Sequence, residues 1–113
     1  MADLRTRVAG LEMENPTILA SGILGQTGDS LLRIINEGGA GAVVTKSIGL
    51  EPRPGHGNPC LLDVDDGLLN AMGLPNPGIE DFGDEVKKAL QGGAPVIGSV
   101  FAADAEGFAN LAG

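Results

Sequence analysis

The run Ala40-Gly41-Ala42-Val43-Val44-Thr45 constrains this chain more than any other stretch, because an uncharged series of small and β-branched residues suits a strand covered on both faces. An amphipathic segment precedes it. Leu31, Leu32, Ile34 and Ile35 form its apolar face, Thr27 or Asp29 offers the N-cap, and Glu37-Gly38-Gly39 offers the stop. Before that, residues 17–20 (Thr-Ile-Leu-Ala) read as a short buried strand, entered from the Asn15-Pro16 break and left at Ser21-Gly22. Strand, helix and strand in this order imply a right-handed parallel crossover that delivers Lys46 at the C-terminal end of its second strand.

The alternation continues. Residues 80–90 have helical spacing, with Phe82, Val86, Ala89 and Leu90 apolar, Glu85, Lys87 and Lys88 mostly solvated, and Gly92-Gly93 as the stop. Residues 95–100 give a third buried strand, and Asp104 is the cap of a last helix beginning at Ala105, expected to run only a few residues. An N-terminal ribbon is expected from residues 4–8 and 11–14 around the Ala9-Gly10 turn. Between Ser47 and Pro77 lies a long connection punctuated by Pro52, Pro54, Gly55, Gly57 and Pro59, and such long loops are commonly functional. Within it, residues 61–64 and 67–70 are expected to pair as a hairpin around Asp65-Asp66.

Charge and composition exclude some classes. Fifteen acidic against seven basic residues give a net charge of -8, which argues against a nucleic-acid partner. No apolar run approaches the ~20 residues that cross a bilayer, and the N-terminus has no continuous signal-peptide core, so no membrane association is expected. The single cysteine, Cys60, has no intrachain partner and fits a reducing compartment, with the cytoplasm as the default.

Two segments carry the candidate chemistry. Lys46, in Thr45-Lys46-Ser47, offers a cation at a strand end; read alone, it is as readily a lysine snorkelling off the surface. The loop Asn70-Ala71-Met72-Gly73-Leu74 joins a carboxamide that donates and accepts, an adaptable thioether wall, and backbone N–H groups at Gly73 and Leu74 that a missing Cβ leaves approachable. Without further context that loop reads more readily as a plain turn joining a hairpin to a helix. His56 and Cys60 do not complete a zinc site, since the chain has no other His or Cys. Asp63, Asp65 and Asp66 lack the ligand pattern of a calcium loop, and no metal is expected. These site residues fall at or near strand ends, as in open α/β sheets and (β/α)8 barrels alike. The turn Ala20-Ser21-Gly22-Ile23-Leu24-Gly25 has neither the Gly-x-Gly-x-x-Gly order nor a Walker lysine, which weakens a dinucleotide-binding reading. A barrel needs about 250 residues, so this chain would be its N-terminal portion.

At this point a resemblance becomes specific. Asn15-Pro16 to Ala20-Ser21-Gly22, Gly39 to Ser47, Pro52-Arg53-Pro54-Gly55 to Asn58-Pro59, Asn70-Ala71-Met72-Gly73-Leu74-Pro75-Asn76-Pro77-Gly78 and Pro95-Val96-Ile97 are ordered and spaced so that the chain resembles the N-terminal part of a class 1 dihydroorotate dehydrogenase, closest to the 1B branch. The resemblance implies an α/β fold, residues 1–113 forming the N-terminal part of one FMN-binding (β/α)8 TIM barrel with an N-terminal β-ribbon. It implies oxidation of dihydroorotate to orotate in pyrimidine (UMP) biosynthesis. Ala20, Ser21, Gly22, Lys46, Ser47 and Ser99 are the implied FMN contacts, and Lys46, Asn70, Ala71, Met72, Gly73 and Leu74 the implied substrate contacts. Relatives often carry Asn where this chain has Ser99, which puts that contact in question, because a hydroxyl is shorter and offers fewer donors.

The same resemblance places the catalytic base beyond Gly113, so Cys60 is not assigned that role although the 1B branch uses a cysteine. It implies a partner subunit carrying FAD and a 2Fe-2S cluster that relays electrons to NAD, with the fumarate-using homodimers of the 1A branch as the alternative. The full-length form is expected to be a homodimer or a heterotetramer. The 113-residue chain alone is expected to be inactive, and unstable or oligomeric, because part of a barrel leaves apolar faces uncovered at about 1.5 to 3 kcal/mol per exposed side chain. The competing readings are another flavin-dependent barrel oxidoreductase and a non-catalytic half-barrel.

Overall fold

The computed structural model describes residues 2–113. After the ribbon of β1 (Thr6–Val8) and β2 (Leu11–Met13), three strands, β3 (Ile18–Leu19), β4 (Ala42–Val44) and β7 (Val96–Ile97), form a parallel sheet in the order β3-β4-β7. Their register pairs Leu19 with Val43 on one side and Val43 with Val96 on the other, which makes β4 central. Ala42 and Val43 are fully buried, as the small and β-branched run predicts for a strand enclosed on both faces.

Each strand leads into a helix. Helix α1 (Gly28–Asn36) follows β3, α2 (Ile79–Ala89) follows β4 through the long connection, and α3 (Ala105–Ala112) follows β7. Thr27, rather than Asp29, caps α1, its Oγ1 accepting the Ser30 N–H at 3.2 Å, and Asp104 Oδ1 caps α3 by accepting the Gly107 N–H at 2.8 Å. Leu31 and Ile35 of α1, Val43 of β4 and Ala89 of α2 form the core, with Leu19, Ile34, Ala94 and Val96 packed against it. The two helices approach closely because α1 begins with a glycine. A Cβ on Gly28 would collide with the Glu85 carbonyl oxygen and stand 2.8 Å from Lys88 Cβ, while the Gly28 N–H donates to the Glu85 carboxylate.

Several boundaries differ from the sequence expectation. The parallel strands are shorter than the apolar runs that contain them, regular pairing ending at Leu19, Val44 and Ile97. Leu90 does not belong to the apolar face of α2; it starts a 3-10 turn (Leu90–Gly92) and is exposed, so the face ends at Ala89. Helix α3 begins at Ala105 as expected and runs to Ala112, with the Gly113 N–H donating to the Ala109 carbonyl.

The ribbon turn has φ of 49° at Ala9 and 86° at Gly10, the paired positive values of a two-residue hairpin turn matched to strand twist. The expected second hairpin is present as β5 (Leu61–Val64) and β6 (Gly67–Asn70), in register Leu62 with Leu69. All eight of its residues are exposed, including Leu61, Leu62, Leu68 and Leu69. No helix among the described residues is long and apolar enough to cross a membrane.

Candidate functional site

The ladder between β4 and β7 breaks where the chemistry-bearing residues lie. Thr45 N–H still donates to the Ile97 carbonyl at 2.9 Å, and pairing resumes as Ile48 N–H donates to the Ser99 carbonyl at 2.9 Å. Between these bonds the Lys46 N–H turns the other way and donates to the Gly25 carbonyl at 2.8 Å. The Ser99 N–H, deprived of a backbone partner, donates instead to the buried Thr45 Oγ1 at 3.0 Å. The interruption frees Lys46 and Ser47 from the flat sheet. Gly25 is the residue behind them: an added Cβ would stand 2.7 Å from Lys46 N and 2.8 Å from the Val44 carbonyl oxygen.

Above this break the three predicted serines meet. Ser47 Oγ is 2.8 Å from Ser99 Oγ and 3.2 Å from Ser21 Oγ, so hydroxyls from the ends of all three parallel strands form one chain. Three hydroxyls carry three donor hydrogens, and two contacts use only two; one donor and several lone pairs stay available to a ligand. Ala20 and Gly22 flank Ser21 with small side chains, and a Cβ on Gly22 would meet nothing within 4 Å, leaving open space beside the hydroxyls.

Lys46, half-buried, lines a cleft of about 230 Å³ with Gln26, Thr27, Pro75, Asn76 and Pro77. It is thus residues 75–77, just after the predicted loop, that line this cleft with Lys46, and none of residues 70–74 is in its lining. Asn70 and Ala71 sit farther back, at the foot of the exposed hairpin, where Asn70 pairs with Leu61 and the Ala71 N–H donates to the Cys60 carbonyl at 2.8 Å. Among the described residues no hydrogen bond joins Asn70 to Lys46.

The loop itself is tightly clamped. His56 N–H donates to the Met72 carbonyl at 3.0 Å, and His56 Nδ1 lies 2.9 Å from the Ala71 carbonyl, a contact that requires the proton on Nδ1. Gly73, at φ 78°, packs on the His56 ring, where a Cβ would stand 2.9 Å from ring carbons. Leu74 follows at φ 54°, a left-handed conformation that costs a residue with a Cβ roughly 1 to 2 kcal/mol. Together these conformations hold the 71–74 backbone in a sharp bend. Its far side is pinned by Asn76, buried, whose Oδ1 accepts from Gly49 N–H at 3.1 Å and Gly78 N–H at 3.0 Å while Nδ2 donates to the Leu74 carbonyl at 3.0 Å.

His56, Asn76 and Gly25 escaped the sequence-based site list. Asn76 had a usable signal, because Asn two residues before a glycine in Pro-Asn-Pro-Gly favours an Asx turn, the bond seen to Gly78. His56 and Gly25 act through contacts across loops and had none. Cys60, the other residue singled out beside His56, places Sγ 3.2 Å from Asn58 Oδ1.

A further concavity, about 670 Å³, lies at the opposite end of the sheet, lined by Asn15, Gly41 and Pro95, which precede the three strands. In parallel α/β folds chemistry gathers at the C-terminal strand ends, and the converging hydroxyls, cation and bent loop are all at that end.

Known proteins resemble this chain over nearly its whole length. The family model described as "Dihydroorotate dehydrogenase" matches residues 3–112. The chain is 56% identical over 111 residues, 98% of its length, to the "Dihydroorotate dehydrogenase B (NAD(+)), catalytic subunit" of Thermoplasma acidophilum, covering 37% of that protein. It is 50% identical over 113 residues to the protein of the same description from Methanocaldococcus jannaschii, covering 96% of this chain and 37% of the relative. It thus spans a little over a third of the length of these curated relatives. A crystal structure of DHODH from Eimeria tenella in complex with ferulenol superposes with a TM-score of 0.65 over 87% of this chain and 28% of that one, at 20% identity, a likeness of fold.

Proposed function

This chain belongs to the dihydroorotate dehydrogenase family, and from that premise we propose that residues 1–113 form the N-terminal part of one FMN-binding (β/α)8 barrel that oxidises dihydroorotate to orotate in pyrimidine biosynthesis. The observation that carries the reading is that Lys46 lines a cleft with Pro75, Asn76 and Pro77 while the next residue, Ser47, joins the hydroxyls of Ser21 and Ser99. A cation and a set of polar groups at adjacent positions of one strand end suit a substrate and a cofactor bound side by side.

The residues present fit a flavin. The hydroxyl chain retains an unused donor and several acceptors, and the open space at Gly22 leaves room beside it for a planar ring. Ala20, Ser21, Gly22, Lys46, Ser47 and Ser99 would hold FMN, which accepts a hydride when bound. Lys46 holds positive charge near the reacting ring and attracts the substrate carboxylate. The bend at Gly73 and Leu74 presents backbone N–H groups to the same carboxylate, Met72 supplies an apolar wall, Ala71 shapes the approach, and Asn70 reads an amide and carbonyl of the ring. Orienting the carboxylate would fix the ring carbon that bears it, from which the hydride leaves, while the adjacent ring carbon would lose a proton to a base beyond Gly113.

The names of the relatives, NAD-dependent catalytic subunits, support NAD over fumarate as the final electron acceptor and a partner subunit; that this partner carries FAD and a 2Fe-2S cluster is what the 1B resemblance implies. Under this reading the enzyme works in the cytoplasm, where Cys60 remains a free thiol. The test is Lys46→Ala in the intact, FMN-loaded enzyme. We expect a rise in KM for dihydroorotate and a fall in kcat that together lower kcat/KM at least 100-fold, as for loss of a charge-assisted contact at a reacting centre. Orotate production at the unsubstituted rate would remove Lys46, and with it the reading, from consideration.

A further inference from the structure

We propose that Asn76 is the positioning residue of the substrate loop, locking the left-handed bend at Leu74 to the strand end that carries Lys46. The inference rests on the functional reading above and adds a residue to it. Three bonds leave this one buried carboxamide, two to backbone on either side of it in the loop and one across to the Gly49 backbone. Oδ1 takes Gly49 N–H, three residues after Lys46, and Gly78 N–H, at the entrance to α2; Nδ2 holds the Leu74 carbonyl. The backbone of Asn76 adds a reciprocal bridge to Arg53, with N–H to carbonyl distances of 2.8 and 2.9 Å, so both main chain and side chain tie the loop to residues 49–53.

The side-chain type is dictated by this arrangement. Two N–H groups must be accepted and one carbonyl must be donated to, and Asn is the short side chain that does both without charge. An aspartate keeps the accepted bonds but turns a carboxylate oxygen toward the Leu74 carbonyl. An alanine loses all three bonds and leaves Leu74 without the partner that opposes relaxation out of its left-handed conformation. Because the Leu74 N–H belongs to the same bend, rotation of the Leu74 peptide changes what the loop offers to a carboxylate. Asn76 itself need not touch the ligand; it acts through Leu74 and Gly49.

The test uses the intact, FMN-loaded enzyme, with orotate binding read from the change in flavin absorbance and amide hydrogen exchange read at Gly49 and Gly78. Asn76→Ala is expected to raise the orotate Kd and the dihydroorotate KM about tenfold, to leave kcat within about threefold, and to accelerate exchange at both glycines. Asn76→Asp is expected to raise the Kd as well while exchange at Gly49 and Gly78 stays near that of the unsubstituted enzyme. A purely structural role would lower the melting temperature and leave Kd and KM unmoved. Accordingly, an FMN-loaded Asn76→Ala enzyme binding orotate within about twofold of the parent overturns the proposal; if that variant does not fold, the same result with Asn76→Asp does so. Should the unsubstituted holoenzyme fail to bind orotate, the functional reading is what fails, and unchanged exchange in Asn76→Ala then overturns the loop role independently.

Discussion

Ser47 Oγ lies 2.8 Å from Ser99 Oγ, a contact between the ends of β4 and β7 made where their backbone ladder is interrupted. Ser47 also meets Ser21, so it is the one hydroxyl through which the other two are connected. Ser47→Ala should therefore cost more than Ser21→Ala or Ser99→Ala, since only it isolates both neighbours. In the intact enzyme we expect the FMN Kd to rise about threefold to tenfold, equivalent to roughly one neutral hydrogen bond, with far-UV circular dichroism unchanged. Flavin fluorescence titration measures it, and an unchanged Kd would show that the chain is incidental to cofactor binding.

Two glycines on facing helices should respond in opposite directions to the same substitution. Gly28→Ala places a methyl against the Glu85 carbonyl and Lys88 Cβ, which cannot both retreat while α1 and α2 stay packed through Leu31, Ile35 and Ala89. A loss of about 1 to 3 kcal/mol is expected from overpacking. Gly83→Ala meets no atom within 4 Å in the middle of α2 and should add roughly 0.5 to 1 kcal/mol through helix propensity. Urea denaturation of the two variants of the intact protein checks both signs.

The sequence was most legible where one local pattern determines one local structure. The buried run at 40–45 became the central strand because neither face admits charge, and Thr27 and Asp104 became caps because their side chains need only their own next turn. The three site serines were individually nameable, yet their meeting was not, since it depends on register between strands separated by 26 and 52 residues. His56 shows the harder limit. As a lone histidine beside Cys60 it suggested only a metal ligand to be set aside, and its clamp on Ala71 and Met72 arises from folding the long connection back on itself. The end of α2 misled for a different reason: Leu90 continues the apolar period, but the backbone tightens into a 3-10 turn there and swings it outward.

The pH dependence of the solvent-facing pairs follows from their signs. The Lys87 ammonium, by hydrogen bond first and charge second, holds the Asp84 carboxyl below the usual carboxylate range, and Asp84 raises Lys87 in return. A depressed carboxyl contributes above its unfolded pKa and loses that contribution as pH falls through its folded value; a raised lysine contributes below its unfolded pKa and loses it as pH rises through its folded value. The pair therefore acts only between the acid and alkaline limits, and both groups being exposed keeps the effect small. NMR titration should place Asp84 lower in the parent than in Lys87→Ala, and the stability difference between parent and Asp84→Asn should vanish in acid.

Gly25 tests whether the strand-end geometry, rather than the lysine alone, sets function. A methyl there would face three backbone atoms, Lys46 N at 2.7 Å, the Val44 carbonyl oxygen at 2.8 Å and the Thr45 carbonyl carbon at 2.9 Å, none of which belongs to a side chain able to rotate away. Relief requires moving either the 3-10 turn at Ile23–Gly25 or the end of β4, and both movements stretch the bond from Lys46 N–H to the Gly25 carbonyl. Gly25→Ala is thus expected to destabilise by about 1 to 3 kcal/mol and, in the fraction that remains folded, to raise the dihydroorotate KM by displacing Lys46 from its cleft. Serine should be at least as harmful as alanine, because the cost comes from the Cβ itself. A folded Gly25→Ala enzyme with parental KM would mean that Lys46 tolerates movement of its backbone, and that its long side chain, not the strand break, determines where the charge sits.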